Sequence, residues 1–259
     1  MSADPTRADM NPAEFDNIAG TERTHWWYRG QREILRRFLA PYVRERVHGL
    51  VLEAGCGTGY NAQVMAEEYG WRMVPLDLGR EGLDYARRNS VPRLCQGDVA
   101  KLPFATAAFD AVVSLDVIVH FPLGREGEAF TELARVVKPG GLFVVRVSAL
   151  DILRSRHSMH AAERQRFTRG RLIQAAEEAG FAVLRTSYAN SLLMPVALLK
   201  FRVWEPLFDS EPESGVLPVS PWLDKTLHAA LALESRCIGL NMNLPIGQSL
   251  VLVGRRRDR

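Results

Sequence analysis

Val51-Leu52-Glu53-Ala54-Gly55-Cys56-Gly57-Thr58-Gly59 is the stretch that decides the fold. A short apolar run ends at an acidic residue, and three glycines follow at alternate positions. Glycine adopts backbone conformations that other residues avoid, and it lets a ligand approach main-chain amides closely. The pattern predicts a strand, a sharp turn and a helix over 60–69. The turn is either a ligand site or an ordinary strand-to-helix connection.

Further apolar runs follow this turn and alternate with amphipathic stretches. Runs that are apolar on both faces and separated by helices are typical of a parallel sheet covered on both sides. We therefore predict an α/β fold with a doubly wound, seven-stranded, mostly parallel sheet. The predicted strands are 50–52, 73–76, 92–95, 111–115, 142–147, 181–184 and 249–253.

Two segments fall outside that alternation. Residues 1–45 begin with a loose or weakly helical stretch and continue into an amphipathic helix over 26–43 that Pro41 should end, so they predict an N-terminal helical lid. Residues 190–246 interrupt the rhythm before the last strand and predict an inserted helical cap. The Rossmann-like core then comprises 46–189 together with 247–255.

Composition excludes several classes of protein. Lys and Arg total 33 against 30 Asp and Glu, and a net charge of +3 is too weak to favour a nucleic-acid partner. The three cysteines are far apart and favour a reducing compartment, so we expect a cytoplasmic location. The N-terminus contains no apolar signal sequence, and no apolar run is long enough for a membrane span.

Acidic residues end the strands that follow the glycine turn. Asp77 lies 20 residues after Gly57, where a carboxylate can accept both ribose hydroxyls. Asp98 follows the third strand, where it could accept an adenine amine, and Asp116 follows the fourth. The glycines fit neither the G-x-G-x-x-G spacing of dinucleotide sites nor a P-loop. We expect a ligand with ribose and adenine but no phosphate.

These motifs together resemble the core of class I S-adenosylmethionine-dependent methyltransferases over residues 50–148. The segments 24–30, 155–168 and 244–250 are similar to the bacterial type 11 or 12 subgroup. The motifs that carry the resemblance are Glu53-Ala-Gly55-Cys-Gly57-Thr-Gly59, Asp77, Gly97-Asp98-Val99, Phe109 to His120, and Val137-Lys-Pro139-Gly140-Gly141.

The resemblance implies S-adenosylmethionine as donor, with S-adenosylhomocysteine as product, and it assigns the donor site. Tyr28 or Arg29 could bind the donor carboxylate, or this aromatic stretch, Trp27 above all, could simply pack the lid on the sheet. The resemblance implies that the methionine portion lies over Glu53, Ala54, Gly55 and Gly57. It also implies that the ribose lies at Asp77 with the adenine beside Leu78, and that the adenine edge meets Asp98 and Val99. The main chain of Leu115 would meet the donor's amino group.

His120 and Asp116 are the candidate catalytic residues, because both follow the fourth strand, where such sheets hold their active sites. A neutral imidazole at His120 could take a proton from the acceptor, or it could cap a helix. Arg146 could bind an anionic acceptor or form a salt bridge. The candidate acceptor-binding residues are His25, Trp26, Arg146, Ser148, His157 and His160.

The functional hypothesis is a bacterial methyltransferase acting at O or N of a small or medium-sized metabolite, such as a natural product or a short modified peptide. No cluster with metal-ligand spacing is evident, so we expect metal-independent in-line displacement. The alternatives are a lipid or glycan acceptor, which the apolar part of the cap favours, and a non-catalytic binding protein with this fold. The cap could also form a homodimer interface.

Overall fold

Seven strands form one mixed sheet in the order β3-β2-β1-β4-β5-β7-β6, in which only β7 runs antiparallel to its neighbours. This computed structural model describes residues 12–43, 49–208 and 219–258. The predicted α/β fold with a mostly parallel seven-stranded sheet is confirmed. The strands are β1 Leu50–Ala54, β2 Arg72–Asp77, β3 Cys95–Gln96, β4 Phe109–Leu115, β5 Val137–Ser148, β6 Phe181–Ala189 and β7 Ser249–Arg256.

Helices cover both faces of this sheet. Short 3-10 turns follow β4 (Ile118–His120) and β5 (Asp151–Leu153), and a π-helical turn spans Lys200–Trp204. The helices are α1 Pro12–Thr21, α2 Trp26–Val43, α3 Tyr60–Tyr69, α4 Arg80–Arg88, α5 Glu126–Val136, α6 Arg156–His160, α7 Arg169–Glu178, α8 Met194–Leu199, α9 Glu205–Phe208 and α10 Pro221–Gly239. No helix among the described residues is long and apolar enough to cross a membrane.

The strand sequences alternate between two apolar cores. Val112 packs on one face with Phe130 and Phe143, while its neighbour Val113 packs on the other with Phe38. Successive strand residues point to opposite faces, so a strand that is apolar throughout needs cover on both sides. β1 lies between β2 and β4, and the chain reverses its winding there. Ligands bind at the carboxyl ends of strands at such a point.

Several boundaries differ from the sequence prediction. α2 continues through Pro41 to Val43, because proline in the last turn removes only one helical hydrogen bond. β3 is only two residues long and starts at Cys95 rather than at 92. β5 already starts at Val137, with an irregularity in its pairing to β4.

The segment predicted as a single cap divides into two parts. α10 packs along α2, where Leu231 is fully buried and a Cβ at Gly30 would lie 2.3 Å from it. α10 therefore belongs to the helical layer on the sheet. Residues 194–208 remain outside that layer, and we call them the cap segment.

Candidate active site

One large cavity opens at the carboxyl ends of β1, β2, β4 and β5. Its volume is about 1160 Å³, slightly more than the roughly 300–1000 Å³ typical of small-molecule sites. Most of the sequence-predicted site residues line it together. These are His25, Trp26, Tyr28, Gly55, Gly57, Asp77, Leu78, Asp98, Val99, Leu115, Asp116, His120, Arg146, Ser148 and His157.

The glycine turn forms one wall of the cavity through its backbone. Gly55 has φ +88°, and a Cβ there would lie 2.0 Å from a methyl group of Val117. The amides of Gly55 and Cys56 donate to the Leu76 carbonyl over 2.7 and 2.9 Å. A side chain at Gly55 is therefore excluded both by the backbone conformation and by the lack of space.

Asp77 holds this turn from the neighbouring strand. Its Oδ2 accepts the Gly57 amide over 2.7 Å, and its Oδ1 accepts the Gly79 amide over 2.8 Å. Each carboxylate oxygen has two lone pairs, so both can accept a further hydrogen bond from a ligand hydroxyl. Asp98 accepts the Ala100 amide over 2.8 Å and lies farther along the same wall.

Glu53 and Ala54 lie beneath the turn rather than at the cavity wall. Both are fully buried, and one carboxylate oxygen of Glu53 has no hydrogen-bond partner. Burial raises the pKa of Glu53 well above its usual value, and the nearby Asp77 and Glu22 carboxylates raise it further. Neither residue is among those that line the cavity, and their contact with a donor stays a prediction.

The first residues of α2 form another part of the cavity wall. Burial raises the pKa of the Tyr28 hydroxyl, and the nearby carboxylates of Glu14, Glu22 and Asp116 add to this effect, so Tyr28 remains a hydrogen-bond donor. Arg29 does not reach the cavity, because its guanidinium pairs with Asp224 of α10.

Arg32 is a cavity residue that the sequence reading missed. It donates to the Glu22 carbonyl over 2.7 Å, and its guanidinium lies 4.9 Å from the centre of the Tyr60 ring. The signal was available, since Arg32 lies four residues after Tyr28 and thus on the same helical face. Arg32, rather than Arg29, is placed to meet a ligand carboxylate.

A second missed pair lies next to Arg32. The Thr58 hydroxyl donates to the buried Glu22 carboxylate over 2.5 Å, and both residues line the cavity. Burial raises the pKa of Glu22, although Thr58, Arg23 and Arg32 oppose the shift. No sequence pattern marks Glu22, because it precedes the aromatic stretch and contacts Thr58 only in the folded chain.

Arg146 and Asp116 form an ion pair at the ends of β5 and β4. The Arg146 guanidinium donates to both carboxylate oxygens over 2.5 to 3.2 Å, and Arg146 is only 7% exposed. Asp116 has φ +60°, a conformation that few non-glycine residues adopt. The carboxylate therefore orients Arg146 at the cavity wall.

His120 lies in the 3-10 turn after β4. Its Nδ1 is 3.2 Å from the Ala162 carbonyl oxygen. A carbonyl can only accept a hydrogen bond, so Nδ1 carries the hydrogen, and in a neutral ring Nε2 is then the nitrogen with the lone pair. His120 also lines the cavity.

The loop around α6 adds a further polar group. Burial lowers the pKa of His157, which keeps the imidazole neutral. Burial alone would raise the pKa of Glu163, but Arg166, Ser148 and Ser158 together lower it, and the Arg166 guanidinium lies 2.9 Å from that carboxylate. His160 is not at the wall, since its Nε2 lies 3.4 Å from the buried Glu14 carboxylate.

The residues of this cavity fit an adenosyl sulfonium. The turn leaves open space at Gly57, where a Cβ would meet, among the described residues, only a Phe15 ring carbon at 3.9 Å. Carboxylates at Asp77 and Asp98 suit hydroxyl and amine groups, whereas a phosphate would be repelled. Among the described residues, no group of three or more His, Cys, Asp or Glu side chains could hold a metal ion.

Comparison with families and relatives points to the same chemistry. A family model described as a methyltransferase domain matches residues 52–145. A protein named "Probable S-adenosylmethionine-dependent methyltransferase" from Mycolicibacterium smegmatis is 35% identical over 130 residues, which is 49% of this chain and 48% of that protein. A fatty-acid O-methyltransferase of the same species is 38% identical over 98 residues, 36% of this chain and 35% of that protein. The chain thus spans about half or less of these curated relatives.

Solved structures show the same fold over nearly the whole chain. A Haloferax volcanii complex of the Trm112 methyltransferase activator with a methyltransferase matches with a TM-score of 0.62 and 21% identity, covering 96% of this chain and 98% of that one. Haemonchus contortus phosphoethanolamine N-methyltransferase 2 in complex with S-adenosyl-L-methionine matches with a TM-score of 0.59 and 18% identity, covering 96% and 58%. At these identities the likeness establishes the fold alone.

Proposed function

We propose that the chain is a class I S-adenosylmethionine-dependent methyltransferase and that it transfers a methyl group from this donor to an O or N atom of a small or medium-sized metabolite. One observation carries the proposal. The glycine turn, the Asp77 carboxylate and the candidate acceptor residues all line the same cavity. Methyl transfer needs donor and acceptor side by side, and a single enclosed space meets that need.

The donor lies along the wall formed by β1, β2 and β3 in this proposal. The methionine portion of the donor would lie against the backbone of Gly55 and Gly57, and Arg32 or Tyr28 would bind the carboxylate of the donor. Asp77 accepts the ribose hydroxyls, while Asp98, Val99 and Leu78 surround the adenine. Leu115 contributes its main chain near the amino group. Glu53 supports the turn from below through its buried carboxyl group.

When bound, S-adenosylmethionine supplies a methyl group on a positively charged sulfur. The chain's own residues then position the acceptor and exclude water, because the charge disperses during transfer and little covalent chemistry is required. Trp26 and Tyr28 present aromatic rings that favour a positive charge nearby. Asp116 engages Nε and Nη2 of Arg146 and so holds the guanidinium beside the acceptor, where it can donate a hydrogen bond to a carboxylate or phenolate.

His120 is the base in this proposal when the acceptor is an alcohol or an ammonium. Its Nε2 lone pair can take the proton, while the Ala162 carbonyl holds the ring through Nδ1. A carboxylate or phenolate acceptor would need no such base. Transfer is metal-independent in this proposal, so a chelator should leave the rate unchanged.

Isothermal titration with S-adenosylmethionine and with S-adenosylhomocysteine tests the donor site. We expect one site per chain and saturable binding of both compounds, followed by release of S-adenosylhomocysteine when an acceptor panel is added. A chain that binds neither compound would contradict the proposal. A donor that is bound but never consumed, across carboxylates, phenols, alcohols and amines, would favour a non-catalytic binding protein instead.

A further inference from the structure

The cap segment is apolar, and most of its side chains are exposed in the part of the chain that the structure describes. It runs Met194-Pro-Val-Ala-Leu-Leu-Lys-Phe-Arg-Val-Trp-Glu-Pro-Leu-Phe208, yet its only buried residue is Glu205, a carboxylate. Apolar side chains are normally buried and carboxylates exposed, so this segment inverts the usual preference. Large exposed apolar surfaces mark sites where something else binds.

One face of the cap segment looks into the active-site cavity. Leu193, Ala197, Phe201, Trp204 and Phe208 all line it, at spacings of four, four, three and four residues. Residues at such spacings share one face of a helix, and we call this set the tail stripe. Leu223 and Leu227 of α10 line the same part of the cavity.

Polar contacts at its two ends hold the cap segment in place. The Glu234 carboxylate accepts the amides of Ser191 and Leu192 over 2.7 and 3.1 Å just before α8. At the other end, the Arg156 amide and guanidinium donate to the Glu205 side chain and carbonyl, both over 3.1 Å. Hydrogen bonds at both ends therefore help to fix the position of the segment.

The cavity is thus polar at one end and apolar at the other. The polar end holds the donor wall, the Asp116–Arg146 pair and His120. Within the tail stripe itself only the Trp204 indole can form a hydrogen bond, although Lys200 and Glu205 of the cap segment also line the cavity. A peptide or sugar lying on the stripe would therefore lose most of its hydrogen bonds to water. A hydrocarbon chain forms no hydrogen bonds to water and therefore loses none on binding there.

We propose that the methyl acceptor is an amphiphile whose polar head lies at the Asp116–Arg146 pair and whose hydrocarbon tail lies along the tail stripe. This inference rests on the proposed function and names its substrate class. It also gives the cap segment a role, since a hydrocarbon tail would cover the apolar side chains that the chain itself leaves exposed.

Binding of straight-chain carboxylates to the full chain tests this inference. Hexanoate, decanoate and tetradecanoate are titrated calorimetrically, below their micellar concentrations, with saturating S-adenosylhomocysteine. Affinity should rise with chain length by up to about fourfold for each methylene that becomes fully buried, the equivalent of about 0.8 kcal/mol. An affinity that does not depend on chain length would overturn the inference.

Two matched substitutions in the cap segment locate the tail. Phe201→Asp puts a charge on the tail stripe and should weaken tetradecanoate at least tenfold. Leu207→Asp puts the same charge on a side chain that is 68% exposed and does not line the cavity, and it should change nothing. Ala197→Trp, which fills the stripe without adding charge, should weaken tetradecanoate more than hexanoate.

Other outcomes point to other occupants. Equal loss in both aspartate variants would place the tail outside the cavity and overturn the inference. A concentration-dependent dimer that Phe201→Asp abolishes would show a second copy covering the stripe and would also overturn it. A wild type that binds no S-adenosylhomocysteine but still binds the carboxylates with an affinity that rises with chain length would defeat the proposed function and leave only the site for the tail.

Discussion

The glycine turn after β1 and the cap segment line the same cavity, but they are built in opposite ways. In the turn, Gly55 and Gly57 leave no side chain, and their amides are held by the Leu76 carbonyl and the Asp77 carboxylate. In the cap segment, large side chains such as Trp204 and Phe208 stack on each other and remain mostly exposed. One wall is a fixed backbone surface, and the other is a set of uncovered apolar side chains.

This difference matches what each wall would bind. A donor that is the same in every reaction suits a wall fixed by the hydrogen bonds of the sheet. An acceptor site gains from side chains that stay outside the core, because their replacement costs the fold little. The contrast predicts that substitutions in the turn damage both stability and donor binding, whereas substitutions in the cap segment affect acceptors alone.

Gly55→Ala should have the largest effect. The positive φ costs about 1–2 kcal/mol and the contact with Val117 about 1–3 kcal/mol more, so denaturant unfolding should show a loss of about 2–5 kcal/mol. Donor affinity should fall about 100-fold or more by calorimetry. Gly124→Ala is the control, because Gly124 has φ +87° but nothing within 4 Å of a new Cβ. Equal losses in both variants would show that the turn has no special packing.

Asp77→Asn should weaken the donor by about 10- to 100-fold. Hydrogen bonds to a charged group contribute about 1.5–3 kcal/mol, and the amide retains only one acceptor oxygen for two amides and the ribose. Titration with S-adenosylhomocysteine measures the change. Asp84→Asn, in α4 and half exposed, should bind the donor normally. Unchanged affinity in the Asp77 variant would remove this carboxylate from the site.

Glu53→Gln should change how stability depends on pH. The raised pKa means that the folded chain holds a proton on Glu53 after the unfolded chain has released it, so wild-type stability falls as pH rises through the folded pKa. Gln stays neutral at every pH. Between the pKa of Glu53 in the unfolded chain and its higher pKa in the folded chain, the unfolding free energy of the variant should therefore rise relative to that of the wild type by about 1.4 kcal/mol for each pH unit. Denaturant unfolding at pH 4 and pH 8 measures this. A constant difference would mean that Glu53 has an ordinary pKa.

Trp204→Ala in the cap segment should have the smallest effect on the fold. Trp204 is 56% exposed, and exposed substitutions usually change stability by less than about 0.5 kcal/mol. Phe38→Ala, at a fully buried aromatic, should cost about 3–5 kcal/mol in the same measurement. Donor binding should be normal for Trp204→Ala. A large loss of stability there would show that the cap segment packs after all.

The sheet and the donor wall could be predicted because their signals are local. Alternating apolar runs identified all seven strands, and the spacing of the glycines and acids placed Asp77 beside the turn, as the structure shows. Boundaries were less accurate where tertiary contacts extend an element, as at β5. Roles for the donor-wall residues stay predictions, because they describe contacts with a ligand.

The acceptor side was less predictable because its residues meet only across the fold. Arg29 follows the aromatic stretch in sequence, but Asp224, nearly two hundred residues away, draws it out of the cavity. Glu22 and Thr58 form a hydrogen bond, but no sequence pattern around either residue indicates this pairing. The segment predicted as one cap at 190–246 also divides in the structure, because no local pattern shows that α10 packs on α2.

The sequence by itself determined the α/β sheet, its switch point and the glycine turn, because apolar periodicity and backbone conformation depend on residues close together in the chain. Tertiary structure alone decided that Arg32 faces the cavity while Arg29 does not, that Asp116 orients Arg146, and that Trp204 and Phe208 of the cap segment stay exposed. Those features depend on side chains from distant elements competing for the same partners and the same space, and no local pattern records the outcome of that competition.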